Sequence, residues 1–346
     1  MTSRLRFNGP LRYRAKSSAT LFKAMAAVCL RRLRKGPFSA AWNLAAEFGT
    51  EILRRQLAVA FEMTDVNQAR SYLDSFAIHS SALSKVSITD VTLKDFKGSW
   101  FIPKDIDPAI TVLFLHGGGY AFYPKSSYSN FSAMIALTAK SKLFALDYRL
   151  APEHKYPAQL TDATNAYRWL LSDGVNPQQL VVLGDSAGGN LTLALLLSLQ
   201  DAALPPPALA ICLSPATDFG AWGAGEPVNS EFDWISQAMT LHWADWFCPL
   251  EQRSHPLVSP VNADLRGLPP IYIQAGGSEI LLPSIQMFAE RAKEQGTDVV
   301  LETWPAMNHD FQMLGYDVPQ SADAMNRIGE VIASHIAPTK EQTPVL

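Results

Sequence analysis

The rhythm of apolar and polar positions along this chain changes twice. From Arg4 to about Phe76, apolar residues recur at i, i+3 and i+4, as across residues 40–48, and this predicts helices. Gly36-Pro37 interrupts that stretch and divides it into at least two helices. Alternation follows, and residues 86–93 and 98–102 read as strands with a turn at Lys97-Gly98. Beyond them, short and nearly continuous apolar runs occupy residues 111–115, 143–146, 180–183, 209–213, 271–273 and 299–303. Helical stretches separate most of these runs, notably 160–171, 187–199 and 284–295. Apolar strands alternating with helices predict an α/β fold, a mostly parallel sheet covered on both faces.

One connection is too long for a simple crossover helix. Between Ser214 and Pro269 lie Trp222, Phe232, Trp234, Trp243, Trp246 and Phe247. They are expected to form a lid that walls an apolar pocket together with the N-terminal helices; a satellite hydrophobic cluster is the plainer alternative. The chain of 346 residues therefore divides into N-terminal helices at 1–84 that contribute to a cap, and a catalytic domain at 85–338. The 215–262 excursion of that domain adds to the cap, and 339–346 is a tail.

Composition narrows the partners. With 48% hydrophobic and 18% charged residues the chain reads as a globular protein, and its net charge of -3 offers nucleic acid no strong attraction. That average conceals an asymmetry, because residues 1–55 carry twelve Lys/Arg against two Asp/Glu. No run approaches the ~20 apolar residues of a spanning helix. The basic N-terminal stretch reads as an amphipathic helix whose charged face meets either water or an anionic membrane surface; if it anchors the protein to anionic lipid, deleting residues 1–35 is expected to abolish liposome co-sedimentation while sparing activity in solution. Three scattered cysteines permit a reducing compartment, so the expectation is a cytoplasmic protein, with peripheral membrane association as the second reading. Seven histidines without HxxxH or HxH spacing give a metal little support.

The chemistry lies in two glycine-rich segments and a late histidine. Gly184-Asp185-Ser186-Ala187-Gly188 fits G-x-S-x-G, a weak motif by itself. Here it directly follows an apolar strand and directly precedes a helix, which is the setting of a nucleophile elbow. His116-Gly117-Gly118-Gly119-Tyr120 follows the 111–115 strand, where an HGGG-type loop supplies backbone N–H groups to a developing oxyanion. Such donors contribute about 3–4 kcal/mol each to acyl transfer. Gly117, Gly118 and Ala187 are the predicted donors. A serine nucleophile needs a base and an orienting acid, which follow it in the order Ser, acid, His. His309, after the last predicted strand, suits the base, whereas His335 reads as a surface residue on a helix. Glu279, just past the 271–273 strand, is the predicted acid, since no aspartate lies between Asp264 and Asp298. Asp310, next to His309, is badly placed to reach that ring's Nδ1.

Together the HGGGY segment, Asp147–Glu153, GDSAGG from Gly184 and Asn308-His309-Asp310-Phe311 resemble the hormone-sensitive-lipase-like branch of the α/β-hydrolases. The resemblance spans roughly residues 37–335, including Ser259-Pro260 and Gly267-Leu268-Pro269-Pro270. It implies an α/β-hydrolase fold with a helical cap, hydrolysis of short- to medium-chain acyl esters, a small-molecule substrate and no cofactor. Two departures stand out: Glu279-Ile280-Leu281 occupies the place of a frequent Asp-Pro-Leu, and Pro283 stands where many members carry aspartate. A non-catalytic small-molecule receptor on the same scaffold is the alternative, as in the gibberellin receptors, but such proteins typically lack the histidine kept here as His309. Related dehydratases carry threonine at the position of Ser186.

Overall fold

The N-terminal segment is mainly helical, as its periodicity predicts, but a strand stands at each end of it. Strand β1 (Arg4–Phe7) precedes helices α1 (Leu11–Lys35), α2 (Leu44–Phe61) and α3 (Val66–Leu73), and β2 (Phe76–His79) returns antiparallel to β1. Four-residue strands are too short to show a period, and their pairing depends on two distant segments meeting, with Phe7 and Phe76 rings 5.7 Å apart. Gly36, at φ 80°, ends α1 as expected. The computed structural model describes residues 4–107, 109–122, 125–220 and 231–336; Trp222 and the 339–346 tail lie outside the described residues.

Eight strands form the main sheet: β3 (Val86–Thr92), β4 (Lys97–Pro103), β5 (Thr111–Leu115), β6 (Lys142–Asp147), β7 (Leu180–Asp185), β8 (Leu209–Leu213), β9 (Ile271–Gly276) and β10 (Val299–Trp304). Their order is β10-β9-β8-β7-β5-β6-β4-β3, parallel from β10 to β6 and antiparallel at β4 and β3. The first hairpin turns at Leu93–Phe96 rather than at Lys97-Gly98, where a turn was predicted. Gly98 lies inside β4, as the 98–102 strand reading has it, at a close approach where a Cβ would stand 2.6 Å from the Ala145 carbonyl oxygen of β6.

Helices cover both faces of the sheet, and alternate strand residues supply the two cores. Leu113, Phe144 and Val182 face α5 (Ala158–Ser172) and α6 (Ala187–Asp201). Phe114, Leu143 and Val181 face α4 (Lys125–Thr138) and α9 (Pro319–His335). The remaining helices are α7 (Gln237–Phe247), inside the long excursion, and α8 (Leu282–Glu294), between β9 and β10. After β5 the chain adds β6 on one side, then continues with β7 on the other. The crevice at the carboxyl ends of β5 and β7 is thus the point where strand order reverses, the usual ligand position of an open α/β sheet.

The N-terminal helices are not a detachable appendage. Helix α1 buries Tyr13, Ser17, Leu21, Ala24 and Val28. Glu47 of α2, almost without exposure, holds Arg31 and Arg32 of α1 and accepts from Phe38 N–H. The expectation that residues 1–35 are dispensable in solution therefore fails on packing: their removal would uncover apolar surface on α2 and strand a buried carboxylate.

Candidate active site

Leu115 of β5 and Gly184 of β7 are register partners, so the loops after the two strands emerge side by side. Ser186 caps α6 with φ 52° and ψ -116°, a backbone state that costs an L-residue about 1–3 kcal/mol. The glycines around it are required by close approach. A Cβ on Gly184 would fall 2.2 Å from the Gly188 carbonyl oxygen, and one on Gly188 would fall 1.9 Å from the Leu115 carbonyl oxygen.

His309 Nε2 lies 2.9 Å from Ser186 Oγ. On the far side of the ring, Nδ1 is 3.8 Å from Glu279 Oε2, close enough for charge attraction but too far for a hydrogen bond. Glu279 is fully buried, and its Oε2 accepts from Ser214 Oγ at 2.6 Å and from Gly276 N–H at 3.1 Å. Asp310 does not reach Nδ1; its Oδ2 stands 3.2 Å from Nε2, on the serine side of the imidazole. Burial disfavours the imidazolium, but the adjacent Asp310 and Glu279 carboxylates outweigh it and hold the His309 pKa well above the ordinary 6.5. Burial pushes the Asp185 and Asp310 carboxyls upward, with Asp310 adding to the rise at Asp185 and Glu279 adding to that at Asp310, where His309 opposes it.

The glycine loop departs from expectation at one position. Gly117 N–H donates to Asp185 Oδ1 at 2.9 Å, so it is committed to the elbow and unavailable as an oxyanion donor. Gly118 and Gly119 line the cavity beside Ser186, and among the described residues neither N–H has an acceptor. Ala187 N–H, in the first turn of α6, has no acceptor within its own helix. His116 is neutral, its pKa pushed down to about 3 by burial, and it stacks 4.0 Å from Tyr148. Its Nδ1–H donates to the Gly117 carbonyl at 2.7 Å, and Tyr148 Oη donates to the His116 carbonyl at 2.6 Å, so His116 braces the loop.

Above Ser186 opens a cavity of about 380 Å³, within the range of small-molecule sites and mostly apolar. Trp234, Ile235 and Trp243 of the excursion form one wall, and Leu21, Met25 and Ile52 of α1 and α2 another. Three further aromatics of the excursion do not line the cavity: Phe232 packs against Phe38, Trp246 against Phe122, and Phe247 stacks on Tyr120.

Residue reading alone did not single out Ser214 or Gly119. Ser214 follows β8 at the carboxyl edge of the sheet, and that position was the available signal. Choosing Gly119 over Gly117 required the hydrogen bond to Asp185.

A strained serine between a parallel strand and a helix, a histidine on its hydroxyl and glycine amides beside it define an α/β-hydrolase site. A family model for the α/β-hydrolase fold matches residues 112–313. An acetyl-hydrolase of Streptomyces hygroscopicus is 35% identical over 240 residues, which is 69% of this chain and 80% of that protein. The carboxylesterase NlhH of Mycobacterium tuberculosis is 27% identical over 294 residues, 82% of this chain and 89% of that protein. The crystal structure of an esterase from the bacterial hormone-sensitive lipase family superposes with a TM-score of 0.78 at 30% identity, covering 85% of this chain and 99% of that one. The chain belongs to the α/β-hydrolase fold family, in its hormone-sensitive-lipase-like branch.

The elbow makes one sharp demand. Gly188→Ala should destabilise the protein by roughly 1–3 kcal/mol or more, because the blocking atom is backbone rather than a flexible side chain. Urea unfolding of the variant beside the parent measures it, and an unchanged midpoint would contradict the packing described.

Proposed function

We propose that this carboxylic ester hydrolase is a serine carboxylesterase for short- to medium-chain acyl esters. Ser186 is the nucleophile, His309 the base and Glu279 the acid. The observation that carries the reading is the 2.9 Å contact of His309 Nε2 with Ser186 Oγ at the floor of an apolar cavity. His309 takes the hydroxyl proton as Oγ attacks the ester carbonyl, and Glu279 stabilises the imidazolium that forms. The 3.8 Å gap to Nδ1 is of the kind that closes when substrate binds. Gly118, Gly119 and Ala187 N–H groups receive the oxyanion. His309 then protonates the leaving alcohol, and an acyl-enzyme remains on Ser186. Water, deprotonated by His309, releases the acid and restores the serine. Residues 1–84 and 215–262 serve as the cap that shapes the acyl pocket.

The apolar ridge on α1 favours a second element of this reading, contact with an anionic lipid surface. Leu11, Phe22 and Leu33, spaced eleven residues apart, share one face of α1 and are 76%, 72% and 84% exposed. Exposed Arg12, Arg14, Lys16, Lys23, Arg34 and Lys35 flank that face, the charge arrangement of an interfacial helix. Leu21 and Met25 of the same helix line the cavity, so a surface-bound ester would lie near its mouth. No helix among the described residues is long and apolar enough to cross a membrane.

Three outcomes are expected. Hydrolysis of p-nitrophenyl esters from acetate to dodecanoate should peak at one chain length, and Ser186→Ala should lose roughly 10³-fold or more in kcat. Full turnover by that variant would refute the serine mechanism, and a folded parent inactive on every ester would favour the receptor alternative. Because the base must be neutral, kcat/KM should fall as pH drops through a midpoint above the ordinary histidine value of 6.5. Asp310→Asn, an amide tolerated in the left-handed backbone of that residue, should lower the midpoint. A parent midpoint at or below 6.5 would contradict the stated charge environment. Finally, the parent should sediment with phosphatidylglycerol vesicles, and Phe22→Glu with Leu33→Glu should abolish sedimentation while keeping soluble turnover within about twofold. A parent that stays in solution would end the lipid proposal.

A further inference from the structure

Between β8 and β9, in the excursion that forms one cavity wall, sits a carboxylate that the chemistry above does not use. Asp233 is 2% exposed and does not line the cavity. Its Oδ1 accepts from Trp234 N–H at 2.8 Å and from His309 N–H at 3.2 Å. Its Oδ2 accepts from Ile280 N–H at 2.8 Å. Ile280 directly follows Glu279, so one carboxylate grips the backbone of the loop that carries the acid and the backbone of the base itself. The next residue adds to the hold: Trp234 Nε1–H donates to the His309 carbonyl at 2.5 Å. From the other direction, Arg54 of α2 donates to the Asp233 carbonyl from Nε at 3.1 Å and from Nη2 at 3.0 Å.

We infer that Asp233 is a positioning residue: bridging the Glu279 and His309 loops, it sets how the acid faces the base and couples that geometry to the cavity wall. The inference rests on the reading of Glu279 and His309 as acid and base. A buried carboxylate is an expensive way to fill space, since an apolar residue of similar size would usually stabilise a core at least as well. What it offers here is two acceptor oxygens, at a place where two loops from distant parts of the chain present main-chain N–H groups to one another. The two loops do meet directly, Ser278 N–H donating to the Met307 carbonyl at 2.8 Å, but the N–H groups of Ile280 and His309 both find their acceptor in Asp233. The charged groups facing Asp233 are Glu279 and His309 from the two loops and Arg54 from α2. Burial is the main influence on its pKa, pushing it up to about 6; Glu279 adds to the rise, while His309 and the accepted N–H groups oppose it.

The consequence is specific. Asp233→Asn keeps size and shape, but its amide nitrogen must face a main-chain donor, so one loop loses its acceptor. Slackening Glu279 and removing a negative charge near His309 both weaken support for the imidazolium, so the His309 pKa should fall. The experiment compares the parent, Ser186→Ala, Asp233→Asn and Trp234→Phe on one p-nitrophenyl ester across pH, with folding followed by circular dichroism. Parent turnover lost in Ser186→Ala establishes the underlying reading in the same assay, independently of Asp233. Asp233→Asn should then lower kcat by about ten- to a hundredfold with little change in KM, as misplacement of reacting groups does. The midpoint of its pH profile should move to lower pH. Trp234→Phe removes one bond to His309 without changing charge, and should lower kcat in the same direction by less. Parental kcat and midpoint in a folded Asp233→Asn would overturn the proposal. A raised KM with intact kcat would also overturn it, since Asp233 would then only shape the pocket. Should Asp233→Asn fail to fold, Trp234→Phe decides, and parental kcat in that variant would overturn the assignment.

Discussion

The backbone turn at Ser186 is the constraint on which the rest of the molecule depends. A positive φ at a non-glycine residue persists only where the surroundings over-determine it, and here they do so from three sides. Ser186 N–H donates to the Leu213 carbonyl of β8, its own carbonyl accepts from Asn190 and Ala216 N–H, and Gly188 rests against the carbonyl of Leu115. The β5–β7 and β7–β8 pairings bring those atoms within reach, so the sheet register and the reactive side chain are parts of one arrangement. Helix α6 begins at the turn, so its first N–H groups have no acceptor within the helix.

A second layer of polar contacts fixes what surrounds the serine. Asp185 accepts from Gly117 N–H and from Tyr128 Oη, which ties the glycine loop to the elbow, while the next two residues, Gly118 and Gly119, line the cavity. Ser214 donates to Glu279 and accepts from Asp310 N–H, linking the end of β8 to the Glu279 loop and to the histidine loop. Most of these groups are buried, so each depends on its partners for the solvation it has lost. That dependence makes the arrangement rigid and raises the cost of any one substitution.

The elements outside the sheet hold the histidine loop as well as enclosing the cavity. Trp42 Nε1–H donates to the Ala306 carbonyl at 2.7 Å, and Asn308 Nδ2 donates to Thr50 Oγ1 at 2.8 Å. Asp233 and Trp234 grip the same loop from the excursion. The cavity walls and the histidine loop therefore share supports from α2 and the excursion. The N-terminal basic charge is likewise divided: Arg31 and Arg32 turn inward to Glu47, while the other basic side chains of α1 remain at the surface beside its apolar ridge.

Much of this was legible along the chain, because the information was local. The six apolar runs from 111–115 to 299–303 became β5 to β10; β5, β7, β8 and β9 are buried along their whole length, and a strand buried on both faces must be largely apolar, whereas β10 is a half-exposed edge. Ser186 and His309 were identifiable because strand–turn–helix context and chain order are linear properties, and the structure brings those two side chains together. Contacts between distant segments were not legible. The β1–β2 pair, the commitment of Gly117 to Asp185 and the contacts of Ser214 and Asp233 arise only when remote segments meet. Sequence by itself determined which residues could react and on what class of scaffold. The tertiary structure decided which amides face the cavity, how far Glu279 stands from the ring and what holds it there, because hydrogen bonds between separate loops depend on distances that no local pattern encodes.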